Sequence, residues 1–175
     1  MARGKLQRPA RRRGFPPVAG PNARVLVVGS MPGEASLAAR QYYAFRHNQF
    51  WTIAGAICGF APDAPYESRK AALIRCRIAL WDVLESCVRP GSLDSAIREE
   101  SIRVNDFASF LAAHPGIRRV CFNGRKAEQA WRRRVLPDLP AARKLEYRLL
   151  PSTSPAHAGM GYLAKLEAWR SAIRC

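Results

Sequence analysis

The sequence predicts an α/β fold: a three-layer α/β/α sandwich with a central, mainly parallel four-stranded sheet. Three observations carry that prediction. Short apolar runs at 24–28, 78–84, 118–122 and 146–150 alternate with segments whose apolar residues recur at helical spacing. The first run holds four consecutive apolar residues, Val25 to Val28, as a strand covered on both faces requires. Three of the runs end in glycine-containing or polar loops, at 29–33, 123–124 and 152–157, and such loops gather on one edge of an open α/β sheet.

Each element has its own signal. Residues 48–60 read as a helix with Phe50, Trp51, Ile53, Ala54 and Ile57 on one face, stopped by Gly59 and Pro62. Residues 66–75 read as a second helix with Arg69, Lys70 and Arg75 toward solvent. The second strand, 78–84, places Asp82 near its end, beside the first loop. Pro90-Gly91 is a turn. Asn105 is expected to cap a short helix that buries Phe107, Phe110 and Leu111, stopped by His114-Pro115-Gly116. The third strand ends at Asn123-Gly124, and a helix over 125–134 turns Ala127, Ala130 and Trp131 inward. A proline-broken loop leads to the last strand, 146–150. The closing helix, 162–173, buries Leu163, Leu166, Trp169 and Ile173.

The chain has 175 residues, 48% of them hydrophobic, which fits one domain with a proper core. Residues 1–20 carry Arg3, Lys5, Arg8 and Arg11 to Arg13 with no acid, broken by Pro9, Pro16 and Pro17. They read as a flexible basic tail, either lying along a phosphate backbone or without a role, and 21–175 as the domain. Lys and Arg number 29 against 13 acids, a net charge of +16. Such an excess points to a polyanionic partner, most simply nucleic acid. The five cysteines form no CxxC pair, and their odd number argues against a full disulfide framework and for a reducing, cytoplasmic setting. Their spacing matches no zinc or iron–sulfur pattern. No apolar run is long enough to span a membrane.

The chemistry-bearing residues are few. Glu34 and Asp82 are the acids near the loops, and no paired carboxylates or HExxH pattern occur. The 29–33 loop lacks the Lys-Ser/Thr ending of a Walker loop. Asn48 reads as a helix cap or as an amide that orients water or a leaving group. Asn123 satisfies a turn or reads the polar edge of a base. Tyr42 and Tyr43 pack, or one stacks on a flat ligand. His157 is an exposed loop residue, a wedge or a phosphate contact.

Three pieces occur together: Gly29-Ser30-Met31-Pro32-Gly33; then Tyr43 and Asn48-Gln49-Phe50-Trp51; then Leu150-Pro151-Ser152-Thr153-Ser154-Pro155-Ala156. In this order and spacing they resemble the uracil-DNA glycosylase superfamily and, within it, the hypoxanthine-DNA (deoxyinosine) glycosylases. The likeness runs from Arg24 to the C-terminus. Mismatch-specific relatives carry an Asn inside the first loop, where this chain has Ser30 or Met31. In the deoxyinosine branch the catalytic amide belongs to the later element, which matches Asn48. Asn123 matches the superfamily's base-reading amide. This chain has Phe45-Arg46-His47 where members commonly have His-Pro-Arg, and His157 where the closing motif often has Asn.

The resemblance implies a monofunctional enzyme, a monomer without cofactor or metal. It would act on double-stranded DNA containing a deaminated base and be nucleoid-associated when bound. Asn48 would be catalytic. Tyr43, Asn123, Ser30, Met31 and Gly33 would bind the flipped base, the loop residues through backbone amides. Ser152, Thr153 and Ser154 would hold phosphates, and Pro155, Ala156 and His157 would complete the wedge. Two rivals remain: a non-catalytic nucleic-acid-binding domain with a degenerate pocket, and an enzyme of free nucleosides.

Overall fold

Strand β2 (Val25–Gly29) is buried at every position because both its faces are covered. Val25 and Val27 face one apolar cluster, and Leu26 and Val28 face the other. The computed structural model describes residues 10–141 and 143–173. Around β2 it forms a four-stranded parallel sheet in the order β3 (Ile78–Asp82), β2, β6 (Arg119–Asn123), β7 (Glu146–Leu150). On one face lie α2 (Phe50–Cys58), α3 (Tyr66–Arg75) and α6 (Tyr162–Ile173), which bury Phe50, Leu73 and Trp169. On the other lie α4 (Phe107–Ala113) and α5 (Arg125–Arg134), which bury Phe107 and Trp131. This is the expected α/β/α sandwich. The chain leaves β2 for β3 on one side and later returns to β6 on the other. The C-terminal ends of β2 and β6 therefore flank the switch point at which open sheets bind ligands.

Several expectations change. A short helix, α1 (Glu34–Ala39), follows the first loop. The second strand ends at Asp82 rather than 84. Beyond Val83 the chain continues as β4 (Leu84–Val88), which joins an antiparallel sheet with β1 (Arg11–Arg13) and β5 (Arg103–Val104). Asp106, not Asn105, caps α4: its carboxylate accepts from the Ser109 N–H at 2.9 Å. The Asn105 amide instead donates to the Asp82 carbonyl at 2.8 Å. Leu163 lies 77% exposed on α6, so it is not part of the core.

The tail also differs. Residues 1–9 and Cys175 lie outside the described residues, but the fold reaches back to Arg11. Arg11 donates to Ser86, Arg12 pairs with Glu34 and Arg13 with Glu85. Val18 bridges to Leu80. These arginines are held by protein acceptors, which is why a charge run that reads as a solvated tail forms a strand. No helix among the described residues is long and apolar enough to cross a membrane.

Candidate functional site

The site begins where β2 stops. Gly29 pairs in register with Asp82 on β3. A Cβ on Gly29 would sit 2.4 Å from Asp82 Oδ1 and 2.7 Å from Tyr43 Oη, so only glycine admits both oxygens. The following loop has its carbonyls tied down from behind. Gly29 and Ser30 carbonyls accept from the N–H groups of Val83 and Leu84 at 2.8 and 3.1 Å. The guanidinium of Arg89, 1% exposed, donates to the Met31 carbonyl at 3.4 Å and to the Pro32 carbonyl. Arg89 also pairs with Asp94 at 3.7 Å, and the Ser30 hydroxyl donates to the same carboxylate at 2.7 Å. With its acceptors engaged, the loop keeps its donors. The N–H groups of Ser30, Met31 and Gly33 reach no acceptor among the described residues. The Met31 side chain is buried in the core and the Ser30 hydroxyl is committed to Asp94, so backbone donors are what these residues offer a ligand.

Residues 40–49 form the second wall. Tyr42 is anchored: its hydroxyl donates to the Pro16 carbonyl at 3.1 Å, and its own carbonyl accepts from Trp51 Nε1 at 2.7 Å. It is the packing residue of the pair. Tyr43 has φ of 53°, an unusual backbone for a bulky side chain, and its ring stacks on Phe50 with centroids 4.1 Å apart. Burial and the nearby Asp82 raise the Tyr43 hydroxyl well above its ordinary pKa, so it stays a neutral O–H. Asn48 Oδ1 accepts from the Phe50 N–H at 2.9 Å. Gln49, not Asn48, occupies the cap position of α2; this bond instead satisfies the first N–H of the helix from the residue before the cap and fixes the amide on the cavity wall. Its NH₂ group has no acceptor among the described residues.

The third wall comes from the ends of β6 and β7. Asn123 and Thr153 lock each other: Asn123 Nδ2 donates to Thr153 Oγ1 and the Thr153 N–H donates to Asn123 Oδ1, both at 2.9 Å. Asn123 has one N–H and one lone pair left, the N–H lying beside the Tyr43 hydroxyl. Thr153 is fully buried. Its expected phosphate contact is thus corrected: its hydroxyl sits beneath the surface and orients Asn123. Ser152 and Ser154 hydroxyls accept from the N–H groups of Ser154 and Ala156 at 3.2 and 3.3 Å, and each retains its own proton to donate. Pro155, Ala156 and His157 are exposed beyond them. Lys165 and Trp169 of α6 hold this loop by donating to the carbonyls of His157 and Pro151 at 2.9 and 3.0 Å. Gly124 has φ of 93°, and a Cβ there would lie 3.1 Å from Ser152 Cβ. The turn after β6 and the Ser152 loop can meet only without a side chain at that position.

The three walls enclose one cavity of about 450 Å³, within the usual range for small-ligand sites. All twelve residues expected at the site line it: Ser30, Met31, Gly33, Tyr43, Asn48, Asn123 and the 152–157 loop. Ser92, Leu93 and Asp94 line it as well and are missed by sequence reasoning, as is Arg89 behind the loop. One signal for them was present: an acid and an arginine flank a Pro-Gly turn in a chain poor in acids. Phe45 and Leu93, 46% and 62% exposed, are the exposed large apolar residues among those lining it. Asp82 is 3% exposed, and burial, with Asp94 adding to it, pushes its carboxyl up to about 7.

A parallel sheet whose switch point holds backbone donors, two fixed amides and an aromatic ring defines an α/β domain with a polar ligand pocket, in a chain of net charge +16. The family model described as the Uracil DNA glycosylase superfamily matches residues 16–174. The chain belongs to that superfamily. It is 39% identical over 93% of its length to a protein of Methanosarcina acetivorans named hypoxanthine DNA glycosylase, covering 98% of that protein. A protein of the same name from Methanosarcina barkeri is 38% identical over 67% of this chain and 73% of its own. The solution NMR structure of a candidate uracil DNA glycosylase from Methanosarcina acetivorans superposes with a TM-score of 0.76 at 34% identity. That match covers 94% of this chain and 98% of the other.

Proposed function

We propose that this chain is a monofunctional DNA glycosylase. It flips a deaminated base, hypoxanthine foremost and uracil second, out of double-stranded DNA and hydrolyses its N-glycosidic bond. The observation that carries the reading is the convergence of Asn48, Asn123, Tyr43 and the unengaged loop N–H groups on one cavity at the sheet's ligand edge. The named relatives support hypoxanthine as the base.

The duplex base is inaccessible, so it must leave the stack, at a cost of about a few kcal/mol that a mispair lowers. Ser152 and Ser154 donate to the flanking phosphates, and Ala156 and His157 enter the gap. Tyr43 presents its ring to the base while Phe50 supports it from behind. Asn123, positioned by Thr153, and the Ser30–Gly33 amides bond the polar edge of the base. Bond breaking leaves positive charge on the sugar and negative charge on the base. Donors fixed in place beforehand stabilise that separation more than the ground state. Asn48 orients the water that adds to the sugar carbon. The enzyme works as a cytoplasmic monomer, with no cofactor in any step.

The test is single-turnover base release from duplexes carrying hypoxanthine, uracil, xanthine or no lesion. The expected outcome is an abasic product from the hypoxanthine duplex and none from the undamaged one. Asn48→Ala should slow release at least a hundredfold while DNA binding persists. DNA binding without base release from any duplex would favour the non-catalytic alternative.

A further inference from the structure

Asp82 has no place in the chemistry above, yet it forms part of the cavity wall beside Gly29, Tyr43 and Asn123. It lies at the C-terminal end of β3, where the neighbouring strand ends in the glycine loop. Its Oδ2 is buried and bonds to nothing among the described residues, while the Tyr43 hydroxyl beside it lies against the Asn123 amide. Gly29 is the residue that lets the two oxygens come together. A buried carboxyl oxygen without a partner is costly to a fold as a charge, and the cost falls when the carboxyl carries a proton.

We propose that Asp82 is the general acid for purine release. Its carboxyl proton passes to a ring nitrogen of the departing hypoxanthine as the C1′–N9 bond breaks. This rests on the hypoxanthine reading. The bonding electrons leave with the base, which departs neutral. Water adds to C1′ and its surplus proton returns, through solvent, to the Asp82 carboxylate. Uracil has less need of this step, because its anion spreads charge over two carbonyl groups that fixed donors can stabilise.

The surroundings keep the proton on Asp82. Asp94 lies near and disfavours a second negative charge, while Arg89, the cation nearest by its effect, is committed to the loop carbonyls and Asp94. Tyr42 and Tyr43 face it as neutral hydroxyls, and Asn105 touches only its carbonyl. A carboxyl held neutral into the physiological range is suited to donating a proton at neutral pH.

The experiment is single-turnover excision of hypoxanthine and of uracil, from pH 5.5 to 9, by the wild-type chain and Asp82→Asn. Asparagine keeps a donor but has no proton to give. The wild-type rate on hypoxanthine should fall about tenfold per pH unit above about 7, more steeply than on uracil. Asp82→Asn should lose hypoxanthine excision about a hundredfold and lower the hypoxanthine-to-uracil ratio at least about tenfold. It should also remove the pH limb, with binding to a duplex carrying a tetrahydrofuran abasic analogue retained. A flat wild-type profile would overturn the proposal even if the variant failed to fold. So would a variant that excises hypoxanthine at the wild-type rate, or a wild-type chain that releases uracil only. No base release by the wild-type chain would instead overturn the glycosylase reading itself.

Discussion

Asp82 also makes stability depend on pH in the direction opposite to a salt-bridged carboxylate. In the unfolded chain it loses its proton near the ordinary value of 3.8, and in the fold it keeps it to about 7. Between those values the folded state binds more protons than the unfolded state. Its contribution therefore falls as pH rises from about 4 to about 7 and then levels off. Glu99 and Glu146, lowered by Lys126 and Arg119, act the other way, so the comparison must be made against a variant. Urea unfolding should find Asp82→Asn gaining on the wild type between pH 4.5 and pH 8; parallel pH curves would contradict this. At this scale the sequence reads well where a residue's role is local. Asn48 stands just before an apolar helix, and its amide oxygen accepts from that helix's first N–H, one position outside the cap, Gln49. Asn123 was legible as a strand-end amide, but not its lock on Thr153, a partner 30 positions away. Thr153 reads as a phosphate donor because its hydroxyl stands among serines; burial, which the sequence does not display, gives it a different role.

Among the elements, the first loop owes its shape to a residue far along the chain. Arg89 gathers the carbonyls of Met31, Pro32 and Gly91, and its charge is answered by Asp94. Removing it leaves buried acceptors and a carboxylate without their partner. Arg89→Met should cost about 3 kcal/mol of stability, slow base release at least tenfold and speed hydrogen exchange at the Val83 and Leu84 amides, which donate to the loop carbonyls. Amide exchange unchanged from the wild type would show that the loop holds its shape without the guanidinium. The helices over 66–75, 125–134 and 162–173 and the strand over 146–150 are found with the boundaries their apolar patterns give. The small antiparallel sheet is not legible, for physical reasons. β4 follows β3 after Val83 alone, so the two read as one run. β5 has two residues and β1 is three arginines, neither of which carries a period-two pattern.

For the whole molecule, the charge of +16 predicts DNA affinity that falls steeply with salt. Arg11, Arg12 and Arg13 are engaged with protein acceptors, so any contribution of the N-terminal segment to DNA binding rests on Arg3, Lys5 and Arg8. Deleting residues 1–9 should reduce the slope of log K against log salt by about 1 to 3. An unchanged slope would leave that segment without a contact to the backbone. Deleting residues 1–20 should instead destabilise the fold, since it removes β1 and the Val18–Leu80 bridge. The grip of α6 on the 151–157 loop, through Lys165 and Trp169, has a bearing on how the protein is made. The chain is synthesised from its N-terminus, so α6 leaves the ribosome after the loop it holds. All four strands of the parallel sheet precede α6, whose Leu166, Trp169 and Ile173 complete the core on one face. Until α6 emerges the 151–157 loop lacks the two donors that hold it, so of the three walls of the cavity this one is the last to set.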